Sequence, residues 1–153
     1  MPVDVLTEIE IDRPCSEVAA YASNPDNATA WYENIASVEW RTAPPLAIGS
    51  QIEFVARFLG RRLAYTYEVR ELVPGELLVM STTDGPFPME TTYTWAETES
   101  GGTRTTLRNR GEPSGFSRVA APMMERAMRR ANRKDLQRLK QILEQPRPAV
   151  DAD

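Results

Sequence analysis

Tyr65, Tyr67, Tyr93 and Trp95 are the side chains best equipped for chemistry in this chain. Each pair is spaced two apart in a stretch of alternating polarity, so in a strand both members project from one face. Phenols and an indole directed into one space supply hydrogen bonds and flat stacking surfaces for an aromatic or polycyclic ligand. The ordinary alternative is a core aromatic whose polar tip meets backbone or water. Phe54 and Phe58 share a face of another alternating stretch and extend the same apolar lining. Met80, Met89, Met124 and Met128 fit either an adaptable cavity wall or ordinary core filling, because a thioether adapts to irregular space. Thr105 and Asn109 place polar atoms on an inward face. A buried asparagine needs partners, which a ligand or cavity water can supply; at the strand end Asn109 would meet solvent instead. Together these residues form the candidate ligand-binding set.

The chain has no histidine. That removes Ser-His-Asp and Cys-His catalysis and the usual zinc and iron sites. Proton transfer is left to Asp, Glu, Tyr, Lys, Arg or ordered water. Glu8, Glu10, Glu53 and Glu68 fall opposite the apolar faces, so paired-carboxylate catalysis has little support. Cys15 is the only cysteine; no intramolecular disulfide can form, and a reducing, cytoplasmic compartment fits. It stands beside a helix start, which can lower a thiol pKa, but with no histidine partner it reads as inert. Arg108, Arg110 and Glu112 cluster at the end of one stretch, either as exposed charge pairs or at a cavity mouth. There is no phosphate loop, dinucleotide fingerprint or metal-ligand spacing, so neither cofactor nor metal is expected.

The net charge of −4 gives no general attraction to nucleic acid or to an anionic membrane. No segment reaches the ~18 apolar residues of a membrane span. Glu8, Glu10 and Asp12 arrive before any apolar run forms, so no signal peptide is expected. At 153 residues the expectation is one domain over residues 1–145, followed by a frayed, flexible tail over 146–153. Oligomeric state is not legible.

The elements that must position the candidate residues follow from periodicity. Val3 to Ile11 alternates as a half-buried strand, with Val5, Thr7, Ile9 and Ile11 inward. Ser16 or a neighbour is placed to cap a short helix through Ala22, and a second short helix ends near Trp31 and Tyr32. Strands follow over Ile35–Thr42, Gln51–Leu59, Arg62–Val73, Leu77–Thr83, Met89–Glu97 and Thr103–Arg110, separated by turns rich in Gly and Pro. The last strand puts Thr105, Leu107 and Asn109 inward and its arginines outward. Ser117 to Gln145 then reads as one amphipathic helix, about 40 Å long at roughly 1.5 Å per residue. Met124, Met128 and Leu139 lie on its apolar stripe, and Arg129, Arg133 and Lys140 on a solvated basic face. Pro122 bends the first turns if the helix starts near Ser117, and is harmless if it starts at Pro122 itself. The fold class is therefore α+β: a curved seven-stranded antiparallel sheet around one long C-terminal helix, with two short helices after the first strand. The helix fills the concave side only in part, leaving a cavity that is open or filled by side chains.

Four stretches carry a resemblance: Glu8 to Trp31 (EIEIDRPCSEVAAYASNPDNATAW), Thr91 to Glu97 (TTYTWAE), Gly101 to Asn109 (GGTRTTLRN) and Ala131 to Glu144 (ANRKDLQRLKQILE). With the element order, the chain resembles the START-type, helix-grip superfamily, in particular its bacterial polyketide cyclase/dehydrase and lipid-transport-like group. The resemblance implies a deep, mostly apolar pocket between sheet and long helix. In aromatase/cyclase members, pocket arginines, tyrosines and hydroxyls are expected to act; no catalytic motif matches here residue by residue. Two functions follow as expectations. One is a carrier or sensor that holds a small hydrophobic molecule, with no nucleic-acid partner. The other is a cyclase/dehydrase-type enzyme in which Tyr or water moves protons.

Overall fold

The computed structural model describes residues 3–58, 60–112 and 121–145. In chain order these form β1 (Val3–Ile11), α1 (Cys15–Ser23), a 3-10 turn over Pro25–Asn27, α2 (Ala28–Trp31), β2 (Ile35–Trp40), β3 (Gln51–Phe58), β4 (Arg61–Val73), β5 (Leu77–Asp84), β6 (Met89–Glu97), β7 (Thr103–Gly111) and α3 (Ala121–Glu144). The strands make one seven-stranded sheet in the order β1-β7-β6-β5-β4-β3-β2, and every neighbouring pair is antiparallel. β1 and β2 follow each other in sequence yet occupy opposite edges. The α1–α2 connector therefore runs from one edge of the sheet to the other.

Alternation explains the strands. In β1, Val3, Val5, Thr7 and Ile11 are buried while Asp4, Leu6, Glu8 and Glu10 are exposed. In β4, Leu63, Tyr65, Tyr67 and Val69 form the buried set. The pairing of β4 with β5 slips at Thr66/Tyr67 and at Val69/Glu71, and that of β2 with β3 at Ile35/Ser37. Irregularities of this kind increase local twist and curl a sheet. The curled sheet holds α3 on its concave side, where Met124, Leu136 and Leu139 are buried in the core.

Several boundaries differ from the periodicity. α1 starts at Cys15 behind Pro14 with no side-chain cap, so Ser16 does not cap it; Asn24 instead accepts from Asp26 N at 3.0 Å and caps the 3-10 turn. β2 stops at Trp40, two residues short of Thr42, and α3 ends at Glu144. The part of the expected helix over Ser117–Ala120, on which the bend at Pro122 depends, lies outside the described residues, as do Leu59 and the expected tail. Arg133 is exposed as expected, but Arg129 and Lys140 are half-buried because both turn toward β1.

That contact closes an edge. Alternate residues of an antiparallel strand turn their backbone groups away from the partner, and in β1 these are the even-numbered ones. α3 satisfies three such groups in β1 and the amide of Asp12 just past its end. Glu125 accepts from Asp4 N at 3.1 Å, Arg129 donates to Leu6 O at 3.0 Å, Lys140 donates to Glu10 O at 2.9 Å, and Glu144 accepts from Asp12 N at 2.7 Å. The Asp12 amide and Lys140 together hold the Glu144 carboxyl below the usual carboxylate range. Unpaired strand edges are sites of unwanted pairing; here a helix covers one.

Candidate functional site

Between the sheet and α3 lies a cavity of about 160 Å³. β3 contributes Phe54 and Ala56, β4 Leu63, Tyr65 and Tyr67, β5 Met80, β6 Met89, Thr91 and Tyr93, and β7 Asn109. α3 closes it with Met128, Asn132 and Asp135, and the segment after α2 adds Tyr32, Asn34 and Ile35. Every strand residue in this wall is on the inward phase of its strand, so pleat alone directs these side chains to the cavity.

Of the candidate ligand-binding residues, Phe54, Tyr65, Tyr67, Met80, Met89, Tyr93, Asn109 and Met128 are thus brought together. Trp95, Thr105 and Met124 are not in the wall. They point inward, but into filled core: Trp95 is 4% exposed and stacks on Tyr93 with rings 6.0 Å apart, while Thr105 and Met124 are buried. Trp95 and Thr105 are cross-strand partners at the end of the sheet that α1 covers, whereas the cavity sits toward Met89 and Asn109. The Phe58 side chain lies outside the described residues.

The cavity has two polar ends. At one, Thr91 Oγ1 donates to Asn109 Oδ1 at 2.7 Å and stands 3.4 Å from the Tyr67 hydroxyl, so Asn109 is partnered within the protein. At the other, the Tyr32 and Tyr93 hydroxyls hydrogen-bond each other, and Asn132 and Asp135 face them from α3. Asp135 is 3% exposed; its Oδ1 accepts from Glu33 N at 3.0 Å. Burial is the main cause that pushes its carboxyl up to about 7, against the partial relief of the Glu33 amide. Burial likewise raises the hydroxyl pKa of Tyr65, Tyr67 and Tyr93. At neutral pH these phenols are hydrogen-bond donors and not bases. Among the described residues, four buried side-chain polar atoms lack a partner: Trp31 Nε1, Trp95 Nε1, Thr105 Oγ1 and Asn132 Nδ2. Only Asn132 of these belongs to the cavity wall.

Tyr32 and Asp135 also line a groove of about 360 Å³ between α2 and α3. They form the partition between that groove and the cavity.

Asn132 and Asp135 were not among the candidates from sequence. Their signal was spacing: they follow Met128 by four and seven residues, on the phase of the apolar stripe, where a polar side chain must be buried. Tyr32 and Asn34 come from a connector whose path periodicity does not reveal, and Ile35 is the first residue of β2.

Other candidate features have ordinary roles. Arg108 pairs with Asp4 and Arg110 with Glu90 on the outer face of the sheet, away from the cavity. The Arg108 hydrogen bonds hold the Asp4 carboxyl below its usual range. Cys15 Sγ donates to Gly75 O at 3.4 Å, and burial pushes the thiol pKa up. No group of His, Cys, Asp and Glu suited to a metal ion occurs among the described residues, and none of their helices is long and apolar enough to cross a membrane.

Solved structures share this architecture. A START superfamily protein from Mycobacterium smegmatis superposes with a TM-score of 0.78 at 14% identity, over 92% of this chain and 97% of that one. The Zhui aromatase/cyclase from Streptomyces sp. R1128 gives 0.75 at 14% identity, over 94% of each chain. Major latex-like protein 151 from Panax ginseng gives 0.75 at 9% identity, over 94% of this chain and 99% of that one. No curated protein sequence matches the chain. At such identities the likeness is one of fold: the START-type helix-grip. The sequence pattern of the family described as polyketide cyclase/dehydrase and lipid transport matches residues 2–144, and the chain belongs to that family.

Proposed function

We propose that the protein binds a small hydrophobic molecule in the cavity between sheet and α3, as a carrier or sensor. One observation carries this reading. The concave side holds a space of about 160 Å³, half of whose lining residues are aromatic or methionine, where close packing would leave none. An apolar pocket left empty keeps its wall in contact with water, and an apolar occupant removes that surface from water. The volume is close to that of an engineered cavity that accepts benzene. A sterol or tetracyclic occupant requires the wall to move.

The test is native mass spectrometry of the purified protein for a co-purifying small molecule, followed by a panel of one-ring aromatics, aromatic polyketides, fatty acids and sterols. Thermal shift and tryptophan fluorescence read the panel. Trp31 and Trp95 flank Tyr93 with ring centroids 6.2 and 6.0 Å from it, so an occupant touching Tyr93 alters their emission. A Trp95→Phe variant isolates the Trp95 signal from those of Trp31 and Trp40. No shift with any member of the panel would sink the reading.

A second reading, a cyclase or dehydrase, is favoured by Asp135. A carboxyl in the cavity wall that titrates near neutrality is suited to take and return a proton. The tyrosines, with raised pKa values, would donate hydrogen bonds to a developing oxyanion and leave the base role to Asp135. Mass-spectrometric turnover of a linear poly-β-ketone substrate by wild type and by Asp135→Asn separates this reading from plain binding.

A further inference from the structure

Asn132 and Asp135 stand one turn apart on α3, and residues three apart on a helix have Cβ atoms about 5–6 Å from each other. They are 6% and 3% exposed on a stripe otherwise made of Met124, Met128, Leu136 and Leu139. Leucine at either position would continue the stripe without a polar group to satisfy. The polar pair instead leaves bonding capacity unused. Asn132 Nδ2 has no partner. Asp135 Oδ1 accepts from Glu33 N, and because a carboxylate offers about four acceptor sites, capacity to accept remains. Both residues line the cavity. A buried amide donor without a partner among the described residues and a carboxylate acceptor, one helical turn apart in the same wall, match a group that accepts one hydrogen bond and donates another. A hydroxyl is the smallest such group.

Resting on the binding function proposed above, we infer that the cavity is selective for a one-ring aromatic bearing a hydroxyl, which accepts from the Asn132 amide and donates to the Asp135 carboxyl. The ring then lies against Tyr93, Met128 and Phe54. The space of about 160 Å³ sets the size limit at one ring with a short substituent. A site built to hydrogen-bond a hydroxyl rejects the analogue lacking it, because its own buried polar groups are then left unpaired.

The experiment is calorimetric titration of the full chain with 4-ethylphenol, ethylbenzene and 1-ethyl-4-fluorobenzene, the last matching the phenol in shape without its donor. The expected result is that 4-ethylphenol binds at least about tenfold more tightly than the other two, as one satisfied hydrogen-bonding group predicts. In Asn132→Leu that preference falls to about threefold or less, while ethylbenzene binds as well as before or better. Because the substitution removes an unpaired buried amide, the variant folds with an unchanged or higher Tm. If all three compounds bind wild type equally, the hydroxyl seat is overturned and the apolar cavity stands. If none binds, the one-ring hydroxyl seat is overturned, and the binding function is decided by the wider panel above. If Asn132→Leu keeps the full preference, Asn132 is not the seat.

Discussion

The hydroxyls of Tyr32 and Tyr93 hydrogen-bond to each other, which ties the residue after α2 to the middle of β6 across one end of the cavity. Tyr93 is 4% exposed and that bond is the one its hydroxyl makes. Tyr32→Phe strands a buried hydroxyl and is expected to cost about 1–3 kcal/mol. Tyr32→Phe/Tyr93→Phe removes both groups and should cost less than the two single changes added together. Urea unfolding of the four proteins gives the coupling; strict additivity would show that the bond contributes nothing.

Asp135 makes stability depend on pH. Its folded pKa, about 7, lies above the ordinary 3.8 of an exposed aspartate, chiefly through burial. The native state therefore keeps a proton that the unfolded chain has lost. The Asp135 contribution to stability is therefore greatest below about pH 4, falls as pH rises toward 7, and levels off above it, while the lowered carboxyls of Asp4 and Glu144 act in the opposite sense at low pH. Asp135→Asn keeps an oxygen for the Glu33 amide and abolishes the titration. It should be more stable than wild type at pH 8, by on the order of 1–4 kcal/mol, with the gap closing toward pH 4. Denaturant titrations across that range check it; parallel profiles for the two proteins would rule it out.

Met124 and Met128 separate core from cavity wall. Met124 is 1% exposed and lies in the core, so Met124→Ala should cost roughly 2–5 kcal/mol. Met128 is half-buried and borders the cavity. Met128→Ala should cost less, about 1–2 kcal/mol, because part of the vacated space joins existing space. It should also shift ligand preference toward larger rings, which Met124→Ala leaves alone. Equal costs and unchanged preference would remove Met128 from the wall.

Gly85 abuts Tyr65. A Cβ placed on Gly85 would meet Tyr65 Cδ1 at 2.6 Å, and the backbone there has φ +155°. Gly85→Ala must push the ring, which also packs edge-on to Phe87 at 5.7 Å. An overpacking cost of about 1–3 kcal/mol follows, together with altered binding of any ligand that touches Tyr65. Gly101→Ala is the comparison: its φ is also positive, at +86°, but nothing stands within 4 Å of the new methyl. It should lower Tm without changing ligand affinity.

Much of this fold was legible because alternation is a local property. β1 and β6 run over the residues that periodicity assigns, and the phase of each strand correctly separates Tyr65 and Tyr67 from Thr66 and Glu68. What alternation cannot convey is depth along a strand. Tyr93 and Trp95 share a phase, yet one lines the cavity and the other lies in the core, because the packing of α1 over that end of the sheet is a tertiary fact. The polar end of the cavity was missed for a related reason. Asn132 and Asp135 look like surface residues by type, and only their phase with Met128 marks them as buried. Tyr32 reaches the cavity through a connector that has no repeat to read.

The helix that covers β1 also bears on how copies of this chain can meet. Sheets join between molecules by laying edge against edge, and unlimited growth needs two bare edges per molecule. At β1 a newcomer finds Asp4 N, Leu6 O, Glu10 O and Asp12 N already engaged by α3. β2 is the opposite edge and pairs only with β3. Among the described residues, the edge that remains for contact between sheets is β2, at the far side from α3's cover of β1.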